Sequence, residues 1–153
     1  MPKIAIDAIP EQCGTDYPQP FDQQVRPRVR QRLGDAAGLT QFGVNRLQLA
    51  PGCWSAQRHW HSHEDEFIYV LSGELVLVTD SGEQLMRAGD CAAFPANAAN
   101  GHHLVNRSDA VAVCLEVGSR DAGDVVVYPD IDLVFDPAIG GYAHKDGTAY
   151  PLK

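Results

Sequence analysis

No run in the 153 residues approaches the roughly 20 consecutive apolar positions that a membrane-crossing helix needs. The start, Met1-Pro2-Lys3-Ile4-Ala5-Ile6-Asp7, lacks both the charged n-region and the long apolar h-region of a secretory signal. The expected location is therefore cytoplasmic. Cysteine is sparse: Cys13, Cys53, Cys91 and Cys114 are widely spaced, with no C-x-x-C pair. Neither a disulfide framework nor a thiolate zinc site is indicated, and free thiols are expected in a reducing compartment. Basic residues are also few, with 12 Lys and Arg against 20 Asp and Glu and a net charge of −8. Phosphate backbones and acidic lipid surfaces are held by clustered Lys and Arg, so nucleic acid and membrane are not expected as partners. Helical periodicity, internal repeats and low-complexity segments are missing as well.

What remains is a chain of ordinary globular composition, 44% apolar and 21% charged, of a length that favours one domain over residues 1–153. Short extended runs recur at Gln41–Ala50, Glu66–Leu71, Leu75–Thr79, Gln84–Arg87, Cys91–Phe94, His103–Val105 and Val111–Val117. Turn signals separate them, among them Pro51-Gly52, Ser72-Gly73, Asp80-Ser81-Gly82 and Ala88-Gly89-Asp90. Strands at such spacing indicate an all-β sandwich or barrel. Apolar parity switches inside Gln41–Ala50, from Phe42 and Val44 to Leu47 and Leu49, which predicts a β-bulge near Asn45. Residues 1–24 read as an extended arm laid over the surface. Residues 119–153 carry Val125-Val126-Val127-Tyr128 and Leu133-Val134-Phe135, more apolar than a free tail needs, and are expected to pack on the barrel or on a second subunit.

Charge is unevenly placed. Residues 1–61 hold seven Lys and Arg against five Asp and Glu, and residues 62–153 hold five against fifteen. Arg26, Arg28, Arg30 and Arg32 alternate, so an extended segment puts all four guanidinium groups on one face. Such a row suits an anionic substrate or a partner's acidic edge. The plainer reading is a solvated, charge-protected edge strand.

The chemistry is concentrated in His59-Trp60-His61-Ser62-His63-Glu64-Asp65-Glu66. On a strand, His59 and His61 point to one face and Trp60 to the other, where it packs between sheets or subunits. Two imidazoles so placed can converge on one ion at roughly 2.0–2.2 Å. A short polar turn after His61 would return the chain antiparallel and bring the Glu66 carboxylate to the same interior face, while Glu64 and Asp65 in the turn would face water. His63, which shares the parity of His61, would do the same, or replace His61, or act as a proton shuttle. A second stretch, Gly89 to Pro95 and then His102-His103-Leu104-Val105-Asn106, supplies a further imidazole. Two or three His plus a carboxylate, with open positions, suit Fe, Mn, Ni, Zn or Cu as one divalent ion. Gln57 shares the parity of His59 and is a candidate substrate contact; Leu104 follows His102 on one face and is a candidate apolar wall.

These residues resemble the two motifs of the cupin superfamily. H-x-H-x4-E-x6-G is matched by His59, His61, Glu66 and Gly73, preceded by Gly52 one residue further away than the pattern has it. G-x5-P and H-x3-N are matched by Gly89 and Pro95 and by His102 and Asn106. Asn97 stands where the second motif has glycine, and the gap before the histidine is two residues longer. His103 is adjacent and would face the other way; the spacing to Asn106 selects His102. The resemblance covers about residues 40–118 and implies a double-stranded β-helix, or jelly roll, with a metal in the barrel mouth held by His59, His61, Glu66 and His102. It also implies a homodimer. The flanks look most like small single-domain bacterial cupins labelled sugar-phosphate isomerase-like. The function expected is a metalloenzyme acting on a small sugar- or keto-acid-like molecule by isomerase, lyase or dioxygenase chemistry; the alternatives are a non-catalytic small-molecule sensor and a structural dimer.

Overall fold

A computed structural model describes residues 3–153. All seven extended runs expected from the turn spacing are strands. In chain order the strands are β1 (Gln12–Cys13), β2 (Val29–Arg32), β3 (Phe42–Leu49), β4 (Trp60–His61), β5 (Glu66–Ser72), β6 (Glu74–Thr79), β7 (Gly82–Arg87), β8 (Cys91–Phe94), β9 (His103–Val105), β10 (Ala112–Ser119), β11 (Val126–Tyr128), β12 (Leu133–Asp136) and β13 (Gly141–Ala143). A short 3-10 turn spans Ile6–Ala8, and a short α-helix, α1 (Leu33–Ala36), follows β2. No helix among the described residues is long and apolar enough to cross a membrane.

The strands make the two walls of an antiparallel jelly roll. One wall has the order β1-β2-β3-β10-β5-β8. The other links β7-β6-β9 to β4-β11-β12-β13 through isolated bridges, Trp54 to Val105 and His59 to His102. Between the walls, Leu47, Leu49, Ile68, Val70, Leu75, Leu77, Met86, Leu104 and Cys114 form one apolar cluster.

Register explains how that core gives way to a polar mouth. On β3 the inward positions run Leu49, Leu47, Asn45, Gly43, and on β10 the residues opposite them are Ala112, Cys114, Glu116 and Gly118. On β5 the inward positions are Val70, Ile68 and Glu66. Each strand is thus apolar at the floor and polar or side-chain-free at the mouth, with a strict period of two. No bulge lies near Asn45: β3 and β10 pair without interruption from Phe42 and Ser119 to Leu49 and Ala112. Phe42 and Val44 lie on the outer face, and the parity switch marks the point where the interior becomes polar. The irregularity in this wall lies between β10 and β5, at Val113 and Cys114.

Both ends of the chain are built in. Tyr17, Val25, Ala56, Tyr128 and Leu133 form a second buried cluster, joined by Phe21, Phe135, Tyr142 and Tyr150. From Tyr17 onward, then, the N-terminal segment is core rather than a surface arm, and the C-terminal tail packs against it as strands β11–β13 within the same chain. The thiols divide evenly: Cys53 and Cys114 are buried, Cys13 and Cys91 exposed.

Two of the motif positions have plain steric causes. Gly73, in the β5–β6 turn, has φ +78°, and a Cβ there would stand 2.9 Å from Ala112 Cα, so only glycine fits. Asn97, which replaces the motif glycine, holds φ +59°, the left-handed region where Asn is the most tolerated alternative. Its amide donates to the His61 carbonyl at 2.8 Å, which ties the turn after β8 to β4. The Asn97 side chain is exposed, so the demand is conformational alone. Asn97→Gly should therefore leave thermal stability unchanged within about 0.5 kcal/mol, while Asn97→Ala should lower it by about 1 kcal/mol. Paired thermal melts read the difference as a Tm drop of about 2–4 °C for the alanine variant alone.

Candidate metal centre

Four side chains from both walls meet where the apolar floor ends. His59, His61 and His102 come from one wall, and Glu66 enters from the first residues of β5 in the other. His61 and Glu66 are not joined by a hairpin: β4 pairs with β11, whereas β5 pairs with β10 and β8. Residues 62–65 instead carry the chain across the barrel mouth. Glu66 Oε2 lies 2.9 Å from His102 Nε2 and 3.5 Å from Nε2 of both His59 and His61. The ligand atoms of His59, His61 and Glu66 all lie within 4.8 Å of one another.

The far nitrogens show how these rings are aimed. His59 Nδ1 is 2.7 Å from the Gln57 carbonyl, and His61 Nδ1 is 2.6 Å from Asp124 Oδ2. Both partners only accept, so Nδ1 carries the hydrogen and Nε2 is the nitrogen turned toward Glu66. This is the arrangement by which proteins orient metal-binding imidazoles. The His102 ring is positioned by stacking on Phe94, with centroids 3.6 Å apart and planes 2° from parallel. Its Nδ1 is buried without a hydrogen-bond partner. The Nε2 atoms of His59 and His61 and the Glu66 carboxylate are close enough together to hold a divalent ion, and His102 Nε2 meets the same carboxylate.

Electrostatics follow from the same contacts. Burial alone would push the Glu66 carboxyl up, but its contacts with His102, His59 and His61 outweigh burial and hold it well below the ordinary carboxylate range. Burial disfavours a charged His61, yet Glu66 and Asp124 on its two sides raise it to about 9. Burial lowers His102, and Glu66 only partly offsets this.

Asp124 is the residue that sequence reasoning missed. It is buried, and besides His61 it accepts the backbone amides of His63 at 2.8 Å and Glu64 at 3.3 Å. It lies 63 residues from His61 in a short turn after β10, and no local pattern marks it. The other candidates divide. His103 points away, its Nδ1 2.9 Å from the Ala56 carbonyl and its ring edge-on to Trp54, and burial lowers it to about 4. His63 is exposed and meets Ser62 Oγ. Gln57 contributes its carbonyl to His59 but turns its side-chain amide to the Phe21 carbonyl, at 2.7 Å, and does not line the cavity. Leu104 is 2% exposed and belongs to the apolar floor, not to the cavity wall. Glu64, expected in water, is half-buried and faces the cavity.

The cavity above His59, His61 and Glu66 has a volume of about 350 Å³. Tyr17, Tyr128 and Tyr142 line one side and Asn45, Glu116 and Gly118 another. Arg28 and Arg30 also face it from buried or half-buried positions, so two of the four alternating arginines point inward, while Arg32 lines the rim with its side chain exposed. Arg26 lies in the preceding turn and pairs with Asp22.

Comparisons with known proteins agree with this architecture. The cupin-domain family profile matches residues 45–118. A crystal structure named as a sugar phosphate isomerase from a cupin superfamily, from Silicibacter pomeroyi DSS-3, is 45% identical over 98% of this chain and 97% of its own, with a TM-score of 0.90. A structure from Acidithiobacillus ferrooxidans, provisionally named a sugar phosphate isomerase, is 33% identical over 82% of this chain and 81% of its own, with a TM-score of 0.72. The polyketide cyclase from Streptomyces resistomycificus shares the fold at 20% identity, covering 79% of this chain and 80% of its own, with a TM-score of 0.63. No curated protein matches the chain by sequence. With a matching cupin domain over its central strands and a full-length relative at 45% identity, this chain belongs to the cupin superfamily.

Proposed function

We propose that this chain is a metal-dependent enzyme acting on a small sugar-like molecule, with one divalent ion held by Nε2 of His59, His61 and His102 and by the Glu66 carboxylate. The observation that carries the reading is the convergence of three imidazole nitrogens on one carboxylate oxygen at the base of a polar cavity large enough for a small metabolite. The names of the Silicibacter and Acidithiobacillus proteins favour isomerisation over the other chemistries open to a cupin. Iron, manganese, nickel, zinc and copper all accept this donor set.

The ion would supply Lewis-acid polarisation of a substrate carbonyl. The chain supplies the rest. Tyr17, Tyr128 and Tyr142 wall off one side, and burial raises all three phenols, so they stay protonated and act as donors to substrate oxygens. Glu64 is the group placed to move a proton. Its Oε1 accepts the Asp121 amide at 2.8 Å and its Oε2 lies 3.8 Å from His61 Nδ1 at the cavity lining, and burial raises its carboxyl, the direction that suits a general base.

Metal content by elemental analysis is the direct test. Protein purified without an affinity tag should carry near one equivalent, and His61→Ala with His102→Ala should reduce this to background while far-UV circular dichroism keeps its strand signal. One equivalent retained in the double variant would overturn the ligand set. Asp124→Asn should keep the fold but weaken metal affinity by about 10–100-fold in chelator competition. Metal-loaded protein incubated in D2O with aldoses, ketoses and their phosphates should exchange hydrogen at the carbon beside the carbonyl, and Glu64→Gln should slow that exchange at least about 100-fold with metal content unchanged. Saturable sugar binding without exchange would instead favour a non-catalytic sensor.

We propose further that the chain forms a homodimer through the outer face of the six-stranded wall. Phe67, Tyr69 and Leu71 of β5 are exposed there beside Leu115 and Val117 of β10 and Ala93 of β8, a contiguous apolar surface of the kind that marks an interface. Light scattering should give twice the 16.6 kDa chain mass, and Phe67→Arg with Tyr69→Arg should return the protein to monomer.

A further inference from the structure

We infer that the cavity holds an oxyanion-binding subsite built from Arg28 and Arg30, and hence that the ligand taken by this site carries a phosphate or carboxylate group. The inference rests on reading the cavity as a substrate site and names the class of substrate. Arg28 is only 7% exposed, yet no carboxylate lies within ion-pair distance of it among the described residues. Its contacts are two carbonyls, Ser55 O at 2.6 Å from Nη1 and Gly14 O at 3.4 Å from Nη2. A buried guanidinium in this state is costly, because carbonyl dipoles replace only part of the lost hydration and neutralise none of the charge. Its Nε and that of Arg30 are both buried without a hydrogen-bond partner.

Arg28 lies just before β2; Arg30 stands two residues on, within β2 opposite Leu47, and faces the same cavity. Its one carboxylate contact, Nη2 to Glu116 Oε1, is long at 3.4 Å, and that same oxygen accepts the Asn45 amide at 2.9 Å. A weakly engaged guanidinium and an unneutralised one thus line one cavity. Arg32 and Arg120 differ in being exposed at the rim: Arg32 donates from Nε to Gln12 Oε1 at 2.9 Å, and Arg120 pairs with Asp35. The fork of an arginine matches the oxygens of phosphate or carboxylate, and two arginines two residues apart that line one cavity present two such forks to one group. A ligand anchored there by its anionic end has the rest of the cavity, toward His59, His61 and Glu66, for its uncharged part.

The test uses EDTA-treated full-length protein at low ionic strength, titrated calorimetrically with inorganic phosphate and, separately, with malonate. At least one of the two should bind saturably at one site per chain. Arg30→Gln and Arg28→Gln should each weaken it at least about tenfold, while Arg32→Gln should change it less than about threefold. Tenfold preference for phosphate assigns a phosphorylated substrate, and the converse assigns a carboxylate; either supports the subsite. Should Arg28→Gln lose its circular dichroism signature, Arg30→Gln decides alone. Absence of saturable binding to wild-type protein, or wild-type affinity in Arg30→Gln, would overturn the inference. Because no metal is present in the titration, its failure is separable from failure of the metal reading: anion binding retained in the His61→Ala and His102→Ala protein isolates the arginines, and metal retained in Arg30→Gln isolates the imidazoles.

Discussion

The contact on which the rest of this structure depends is the Glu66 carboxylate lodged among three imidazoles inside a β-barrel. Polar groups are costliest in such surroundings, and a half-oriented cluster costs more than an apolar filling would. Each ring is accordingly held from outside the cluster: His59 by the Gln57 carbonyl, His61 by Asp124, His102 by the face of Phe94. Asp124 does more than aim a ring. Through the amides of His63 and Glu64 it also shapes the crossing that carries the chain from β4 in one wall to β5 in the other. The orientation of His61 and the entry of Glu66 are therefore one event, and a change at Asp124 reaches both.

That cluster is tolerable because the interior is graded. Along β3, β10 and β5 the inward side chains pass from Leu49, Ala112 and Val70 at the floor to Gly43, Gly118 and Glu66 at the mouth. Burial of the apolar half, at roughly 25 cal/mol per Å², stabilises the barrel without help from the site. The mouth is then free to carry groups that add little to stability. Glycine at positions 43 and 118 keeps the opening clear, and a Cβ at Gly43 would already touch the Arg120 guanidinium at 3.5 Å.

Much of this was legible in one sequence. Turns such as Ser72-Gly73 punctuate the chain regardless of tertiary context, so the central strands fall where the turn spacing puts them. The H-x-H pair and Glu66 carry their chemistry in their spacing, and the structure brings both to the cluster it shares with His102. What could not be read depends on residues distant in the chain. The parity switch in β3 resembles a bulge until its neighbour on β10 is seen to change from Cys114 to Glu116 at the same level. Gln57 has the parity of a cavity residue, yet Phe21 on the N-terminal segment captures its amide. Asn97 looks like a departure from the cupin pattern only if residue identity is compared; by backbone conformation it keeps the pattern.

The arginine row shows the limit most clearly. A strand facing solvent and a strand facing a polar cavity carry the same period-two alternation of charge, because both present one face to a polar medium. Nothing local separates them. The distinction lies in the partner strand: Arg30 sits opposite Leu47, an inward position of β3, so the register of one antiparallel pair turns its guanidinium inward, while Arg32, opposite Asn45 at the mouth, reaches the exposed rim. The N-terminal segment then closes the outer side, where Gln31 Nε2 donates to the carbonyls of Ile6 and Ile9 at 3.0 Å. A segment that reads as a loose arm thus converts an edge strand into a cavity wall, and part of an alternation suited to solvent comes to face the cavity above the His–Glu cluster.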